Sequence, residues 1–161
     1  MDYVLTLATP TQYVSVPLTN VVRIVPLALL KEIPDAPEWF LGLLDLEGTS
    51  LPVMDLGMRL GLGDPPDYLL STPVVIISQD DKLAGWIVQE VLGVGKVVHG
   101  TLMHTDLFAS GGPPFLGVAR LAQIGLTPVL DPARMMEICL VNQEYNTMVC
   151  PPQIHEKLQD L

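Results

Sequence analysis

Three acidic side chains, Asp45, Glu47 and Asp55, lie close together in the sequence. Two carboxylates flanking a glycosidic bond perform glycoside hydrolysis, so one interpretation is a small β-barrel hydrolase that uses Asp45 and Glu47. A buried cleft around these acids would favour that hydrolase. The competing interpretation is structural: strand alternation puts Asp45 and Glu47 on one face, opposite Leu44 and Leu46. Asp55 then caps a short helix.

A glycine-rich segment, Gly93-Val94-Gly95-Lys96, superficially resembles a phosphate-binding loop. A P-loop needs a longer glycine-bounded cradle and a Ser or Thr after its lysine, where this chain has Val97. The dinucleotide fingerprint also fails, because Val98 occupies its third glycine position. The segment therefore predicts a strand turn and no cofactor site.

Metal and nucleophile chemistry have weak support in the sequence. His99, His104 and Asp106 have no recognised metal-ligand spacing, so we predict no metal site. Cys139 and Cys150 are expected to be free thiols, although a disulfide is possible. Neither a Gly-x-Ser-x-Gly elbow nor a His-Glu-x-x-His pair occurs. We therefore predict no catalytic residue, and a protein that is not an enzyme.

Composition excludes several classes of partner. The 161 residues are 49% hydrophobic, enough for a substantial core, and 18 acids against 8 bases give a net charge of −10. Such a charge repels phosphate backbones, so nucleic acid is not expected as a partner. The apolar run 21–30 is interrupted by Arg23 and Pro26, so no bilayer insertion is expected. The start at Met1 lacks secretory-signal features, and we expect a cytoplasmic protein.

The chain contains an internal repeat. Two hairpin patterns, Val4 to Pro17 and Val74 to Ile87, superpose seventy residues apart, and the apolar rhythm from Val21 matches that from Val91. Phe-Leu-Gly recurs at 40 and 115, and a Pro-Val-hydrophobic-Asp motif recurs at 52 and 128. The repeat predicts a mostly β fold of two pseudo-equivalent units, each a five-stranded small β-barrel.

Helices and linkers follow from local signals. Short helices are predicted at 56–60 and 132–138, where Asp55 and Asp131 can cap the first turns. Glycine and proline in 61–72 predict a linker, and the second unit starts near residue 73. The domain is predicted to span 1–141 and a polar tail 142–161, which is either frayed or a docking helix.

A long stretch identifies a family. Residues 34–48 read Pro-Asp-Ala-Pro-Glu-Trp-Phe-Leu-Gly-Leu-Leu-Asp-Leu-Glu-Gly and continue through 52–56 and 59–62. This pattern strongly resembles the CheW-like domain, and the resemblance extends from about Tyr3 to Leu140. It implies two small five-stranded barrels sharing a hydrophobic core. It also implies a non-catalytic adaptor between the cytoplasmic tip of methyl-accepting chemoreceptors and a CheA-type histidine kinase, recruited to membrane receptor arrays.

The chain departs from the family at two charged positions. The family usually has glutamate where this chain has Arg23, and arginine where it has Glu47. Because these positions are neighbours in the family, the resemblance implies a charge-swapped salt bridge. The swap indicates either divergent partner specificity, a scaffold that no longer couples receptors, or paired drift without a change of partner. The resemblance implies the following partner-binding residues, of which Leu43, Val91 and Val94 could equally be core: Val21, Arg23, Gly42, Leu43, Glu47, Val91 and Val94.

Overall fold

The computed structural model describes residues 2–27, 30–98, 103–104 and 114–140, with only the backbone for 103–104 and 137–140. The described chain is mostly strand, as predicted. In chain order the elements are β1 (Tyr3–Ala8), β2 (Tyr13–Pro17), β3 (Val21–Pro26), β4 (Phe40–Leu46), β5 (Thr49–Asp55), α1 (Leu56–Leu60), β6 (Pro73–Gln79), β7 (Lys82–Ile87), β8 (Glu90–Lys96), β9 (Met103–His104), β10 (Phe115–Leu121), β11 (Gly125–Leu130) and α2 (Pro132–Leu140).

Both predicted hairpins are present. β1 pairs antiparallel with β2, and β6 pairs antiparallel with β7. In the first turn the Thr9 hydroxyl donates to the carbonyl of Gln12 at 2.6 Å. In the second, Asp80 and Asp81 adopt positive φ angles of 50° and 64°, which aspartate tolerates better than most residues. The polar turn residues recognised in the sequence therefore make the reversals.

The strands form two sheets, and each sheet takes strands from both halves of the chain. One sheet has the order β8-β1-β2-β11-β10-β9 and the other β3-β6-β7-β5-β4. In the repeat, the counterparts of β3, β6, β7, β5 and β4 are β8, β1, β2, β11 and β10. The five-stranded sheet therefore has the same strand order as the first five strands of the six-stranded sheet. The halves meet at two parallel strand pairs, β2 with β11 and β5 with β7, and at two antiparallel pairs, β1 with β8 and β3 with β6.

The repeat extends to irregularities in the ladders. A bulge interrupts the pairing of β3 at Val22, and another interrupts β8 at Leu92, seventy residues later. Further bulges interrupt β4 at Leu41 and β10 at Leu116. Because bulges bend a strand and increase its twist, matched bulges give the two sheets matching curvature.

In each sheet a single bridge connects a residue that follows one edge strand, β3 or β8, to a strand on the opposite side of the sheet. Lys31 bridges to Leu43 of β4, and Val97 bridges to Leu121 of β10. Among the described residues no continuous ladder joins these edges, so the two sheets are curled with closely approaching edges, and closed barrels are not shown.

Three buried clusters hold the sheets. The largest, here the central core, draws side chains from both sheets and from α2; its members include Leu7, Val16, Phe40, Trp86 and Met135. Each of the other two clusters lies within one sheet. One includes Leu51, Val53 and Ile76 of the five-stranded sheet, and the other includes Val4, Ala119 and Val129 of the six-stranded sheet. The two halves therefore share one core, as the resemblance implied.

The predicted helices begin where expected. The Asp55 carboxylate accepts from the Met58 amide at 2.9 Å, and that of Asp131 accepts from the Ala133 amide at 3.0 Å. α1 has the predicted bounds, and α2 runs to Leu140, two residues beyond the prediction. Linker 61–72 contains neither strand nor helix. The described helices are all too short to cross a membrane.

Candidate functional site

The tight turn between β4 and β5 carries one of the two swapped charges. Glu47 has φ 52° and Gly48 φ 87°, and the Gly48 amide donates to the Asp45 carboxylate at 3.0 Å. Strand β4 ends at Leu46, so the expectation that strand alternation places Glu47 on the same face as Asp45 is wrong. The turn instead projects Glu47 toward the neighbouring edge strand β3.

Arg23 and Glu47 form the ion pair that the resemblance implied. Nη1 of Arg23 lies 3.4 Å from Oε1 of Glu47, and the side chains are 46% and 77% exposed. An ion pair this open to solvent stabilises a fold by only about 0–1 kcal/mol. Its main physical effect is therefore on the electrostatic potential that the surface presents to a partner.

The acids proposed for hydrolysis have no common site. Asp45 and Glu47 are exposed, and each already has a partner, the Gly48 amide and Arg23. Asp55 is 1% exposed, and its carboxylate is occupied by the Met58 amide and the Tyr68 hydroxyl. Within the part of the chain that the structure describes, both acids are exposed, and the buried cleft that a hydrolase would need does not surround them.

Aliphatic side chains on β3 and β8 are exposed next to residues of the same strands that pack against the central core. Val21 and Val91 are half-buried and pack against that core. Their neighbours point outward; the exposed fractions are 51% for Val22, 44% for Ile24, 37% for Leu92 and 57% for Val94. Both edge strands therefore present aliphatic residues to solvent. Of these, sequence reasoning did not single out Val22, Ile24 and Leu92, although the repeat aligns Val22 with Leu92.

Gly42 and Leu43 are inside the fold. Leu43 is 4% exposed and belongs to the central core. Gly42 has φ 143°, and a Cβ there would lie 2.5 Å from the carbonyl oxygen of Lys31. The glycine is required for this close approach of two backbones. We therefore leave both residues out of the surface proposed below.

Several other candidates from the sequence are beyond what the structure describes. His99, Asp106 and Cys150 lie outside the described residues, and the side chains of His104 and Cys139 are not described. Within the described ranges, no group of three His, Cys, Asp or Glu side chains is placed to hold a metal ion.

The two curled sheets expose aliphatic residues on β3 and β8 and an ion pair on their surface. Exposed apolar residues of this kind are typical of protein-interaction modules. The family model described as "CheW-like domain" matches residues 4–139, and the chain belongs to this family. It is a scaffold of the chemotaxis coupling type and is non-catalytic. The hydrolase interpretation is therefore wrong.

A solved structure shares the fold. The scaffolding protein TtCheW from Thermoanaerobacter tengcongensis superposes with a TM-score of 0.70, covering 80% of this chain and 88% of that one, at 20% sequence identity. No curated protein matches the chain significantly.

Proposed function

We propose that this chain links the cytoplasmic tip of a chemoreceptor to a CheA-type histidine kinase at a receptor array. The observation that carries the proposal is family membership over 4–139 together with the aliphatic surface of β3 and β8 beside the central core. Receptor tips of this kind are helical, and an amphipathic helix binds by laying its apolar face on such a surface. Val21, Val91 and Val94 are the contacts proposed for the helix.

The charges of Arg23 and Glu47 are exchanged relative to the family, so they suit a partner whose facing charges are exchanged as well. Glu47 is 77% exposed, so an incoming side chain meets a carboxylate where the family usually offers a guanidinium. Placing like charges together at an interface costs several kcal/mol, so we expect discrimination against ordinary family partners. Because Arg23 is also half-exposed, the cognate partner presents a base near Glu47 and an acid near Arg23.

Pull-down from the native cytoplasm tests the class of function and the role of the charges together. The baits are the native chain, the double swap Arg23→Glu/Glu47→Arg, and the control Glu38→Lys/Lys82→Glu, which exchanges two exposed charges elsewhere and leaves the net charge unchanged. Recovered proteins are identified by mass spectrometry. We expect the native chain and the control to recover a histidine kinase and a receptor, and the double swap to recover less receptor.

Three other outcomes have definite meanings. Recovery of the kinase without a receptor by the native chain would support the divergent scaffold that no longer couples receptors. Recovery of neither protein by any bait would refute the adaptor proposal. Equal recovery by the native chain and the double swap would show that the Arg23–Glu47 pair drifted without changing specificity.

A further inference from the structure

A depression opens in the six-stranded sheet between β8 and the turn that joins β10 to β11. Val97 bridges to Leu121, and the Val98 amide donates to the carbonyl of Arg120 at 2.9 Å, so the chain after β8 follows β10 away from this turn. On the other side of the bridge, β8 and the turn stay apart and leave a volume of about 280 Å³. The lining residues are Thr6, Leu92, Gly93, Val94, Gly95, Lys96, Leu121, Ala122, Gln123 and Ile124.

Two glycines of β8 provide the space. Gly93 pairs with Thr6 of β1. A Cβ at Gly93, where φ is 130°, would meet no other atom within 4 Å, and one at Gly95 would lie 3.2 Å from Cδ1 of Leu121. At both positions the strand contributes only backbone, whereas a side chain would fill the gap. The depression therefore extends past β8 to Thr6, which is buried.

The corresponding space in the five-stranded sheet is filled. Arg23 of β3 corresponds to Gly93, and its side chain reaches across to Glu47 on the β4–β5 turn. Val25 corresponds to Gly95 and packs against the aliphatic cluster of its own sheet. The depression is therefore not a property of the repeated frame. It depends on residues in which the two sheets differ.

The lining is mainly aliphatic and carries one charge. Aliphatic side chains come from Leu92, Val94, Leu121 and Ile124, and Lys96 is the one charged residue among the ten. No ion pair between described residues uses Lys96. Because liquid water occupies ~30 Å³ per molecule, the volume corresponds to roughly nine waters. A ligand of about eight non-hydrogen atoms matches this size.

We propose that the depression binds a short aliphatic carboxylate. The hydrocarbon body lies against the aliphatic lining, and the carboxylate lies beside the ammonium group of Lys96. Burial of hydrocarbon favours binding, and the one charged group fixes the orientation of the ligand. The net charge of −10 repels anions at long range, but at physiological salt this repulsion is screened beyond about 8 Å, whereas Lys96 acts at contact distance. The site does not rest on the chemoreceptor function.

Nuclear magnetic resonance titration of the full chain with isocaproate provides the test. Isocaproamide is the neutral comparison ligand, because it has the same number of non-hydrogen atoms and no charge. We expect saturable shifts of the backbone amides of Gly93, Gly95 and Gln123, with a dissociation constant for isocaproate of roughly 1–10 mM at physiological salt. Isocaproamide should bind roughly two- to fivefold more weakly, as expected for the loss of an exposed ion pair.

Two pairs of variants separate the charge from the aliphatic contact. Lys96→Gln should weaken isocaproate to the affinity of isocaproamide and leave isocaproamide unchanged; its control, Lys82→Gln on an exposed site of the other sheet, should change neither. Ile124→Ala should weaken both ligands by roughly threefold or more. Its control, Leu126→Ala, truncates a neighbouring side chain that is 54% exposed and lies outside the lining, and it should change neither affinity. Circular dichroism confirms that each variant is folded.

Several results would overturn the proposal. Shifts that do not saturate by about 50 mM ligand, or shifts as large on β3 as on β8, would show general contact with exposed aliphatic residues and no site. Equal affinities of the native chain for the two ligands, or equal weakening of both by Lys96→Gln, would refute the pairing with Lys96. Ile124→Ala behaving like Leu126→Ala would refute the location of the ligand.

Discussion

The hydroxyl of Tyr68 is expected to stabilise the fold through a buried carboxylate. It donates to Oδ2 of Asp55 at 2.6 Å, while Oδ1 of the same residue accepts from the Met58 amide at 2.9 Å. Asp55 is 1% exposed, so Tyr68→Phe leaves Oδ2 buried without its donor. Leaving a buried polar group unsatisfied costs about 1–3 kcal/mol, with charged acceptors at the upper end.

Thermal and denaturant unfolding measure this loss. A decrease of about 2 kcal/mol in the free energy of unfolding corresponds to a Tm lower by roughly 4–8 °C for a chain of this size. Tyr13→Phe is the matched control, because it removes the same hydroxyl from a side chain that is 48% exposed. The control should change the free energy of unfolding by less than about 0.5 kcal/mol.

The same bond predicts a pH dependence. Burial, reinforced by the hydrogen bond to Asp55 and the charge of its carboxylate, raises the pKa of Tyr68 above its ordinary value of 10.0. Above pH 10 the unfolded chain therefore loses the Tyr68 proton while the folded chain keeps it, so the folded state loses stability as pH rises. The stability difference between the native chain and Tyr68→Phe is full below pH 10 and should shrink above it. A difference that stays constant from pH 8 to 11.5, or one no larger than that of Tyr13→Phe, would refute this reasoning.

Two further predictions concern the close backbone approach at Gly42 and the buried hydroxyl of Ser15. Gly42→Ala places a Cβ 2.5 Å from the carbonyl of Lys31 at φ 143° and should lower the free energy of unfolding by about 3 kcal/mol or more. Gly48→Ala, at φ 87° in open space, should cost only about 1 kcal/mol in urea unfolding. Ser15→Ala breaks a buried chain of hydroxyls, Thr6 to Ser15 at 3.0 Å and Ser15 to Thr127 at 3.1 Å, and should cost about 1–3 kcal/mol. Replacing Thr6 and Thr127 by Val in the same protein should recover much of that loss, and a further large decrease would contradict this account.

The two edge strands β3 and β8 have corresponding positions in the repeat. β3 and β8 are pseudo-equivalent, and both expose aliphatic residues beside the central core. One edge carries Arg23, which pairs with Glu47 of the β4–β5 turn, whereas the other carries Gly93 at the corresponding position. The repeat has therefore kept its frame while its two edges acquired different surfaces.

Local signals in the sequence located most elements. Period-two alternation and polar turns predicted both hairpins, and Asp55 and Asp131 predicted both helix starts, because each signal depends on residues a few positions apart. The prediction that Glu47 shares the face of Asp45 failed because side chains alternate between the two faces only while the backbone stays extended. Here two consecutive residues of positive φ, Glu47 and Gly48, reverse the chain.

The candidate surface was less predictable. Gly42 and Leu43 were predicted to lie on the partner-binding surface, like Val94. The sequence does not distinguish them from such surface residues, but the fold buries both. Val91 and Val94 lie on opposite faces of β8, and alternation alone does not specify which face the fold covers: Val91 packs on the central core, whereas Val94 is 57% exposed. Exposure of an aliphatic residue depends on which sheet covers it, which is a property of packing between distant segments.

The sequence by itself determined the repeat, the alternation within each strand, the turns, the caps and the family. Only the tertiary structure decided which strands are neighbours: β2 lies against β11 and β5 against β7, so each sheet draws on both halves. Alternation specifies which face of a strand is apolar but not which strand lies beside it. In a repeat, equivalent strands carry nearly the same pattern and are interchangeable by local signals. The strand pairing is therefore determined by the packing of the central core, to which both halves of the chain contribute.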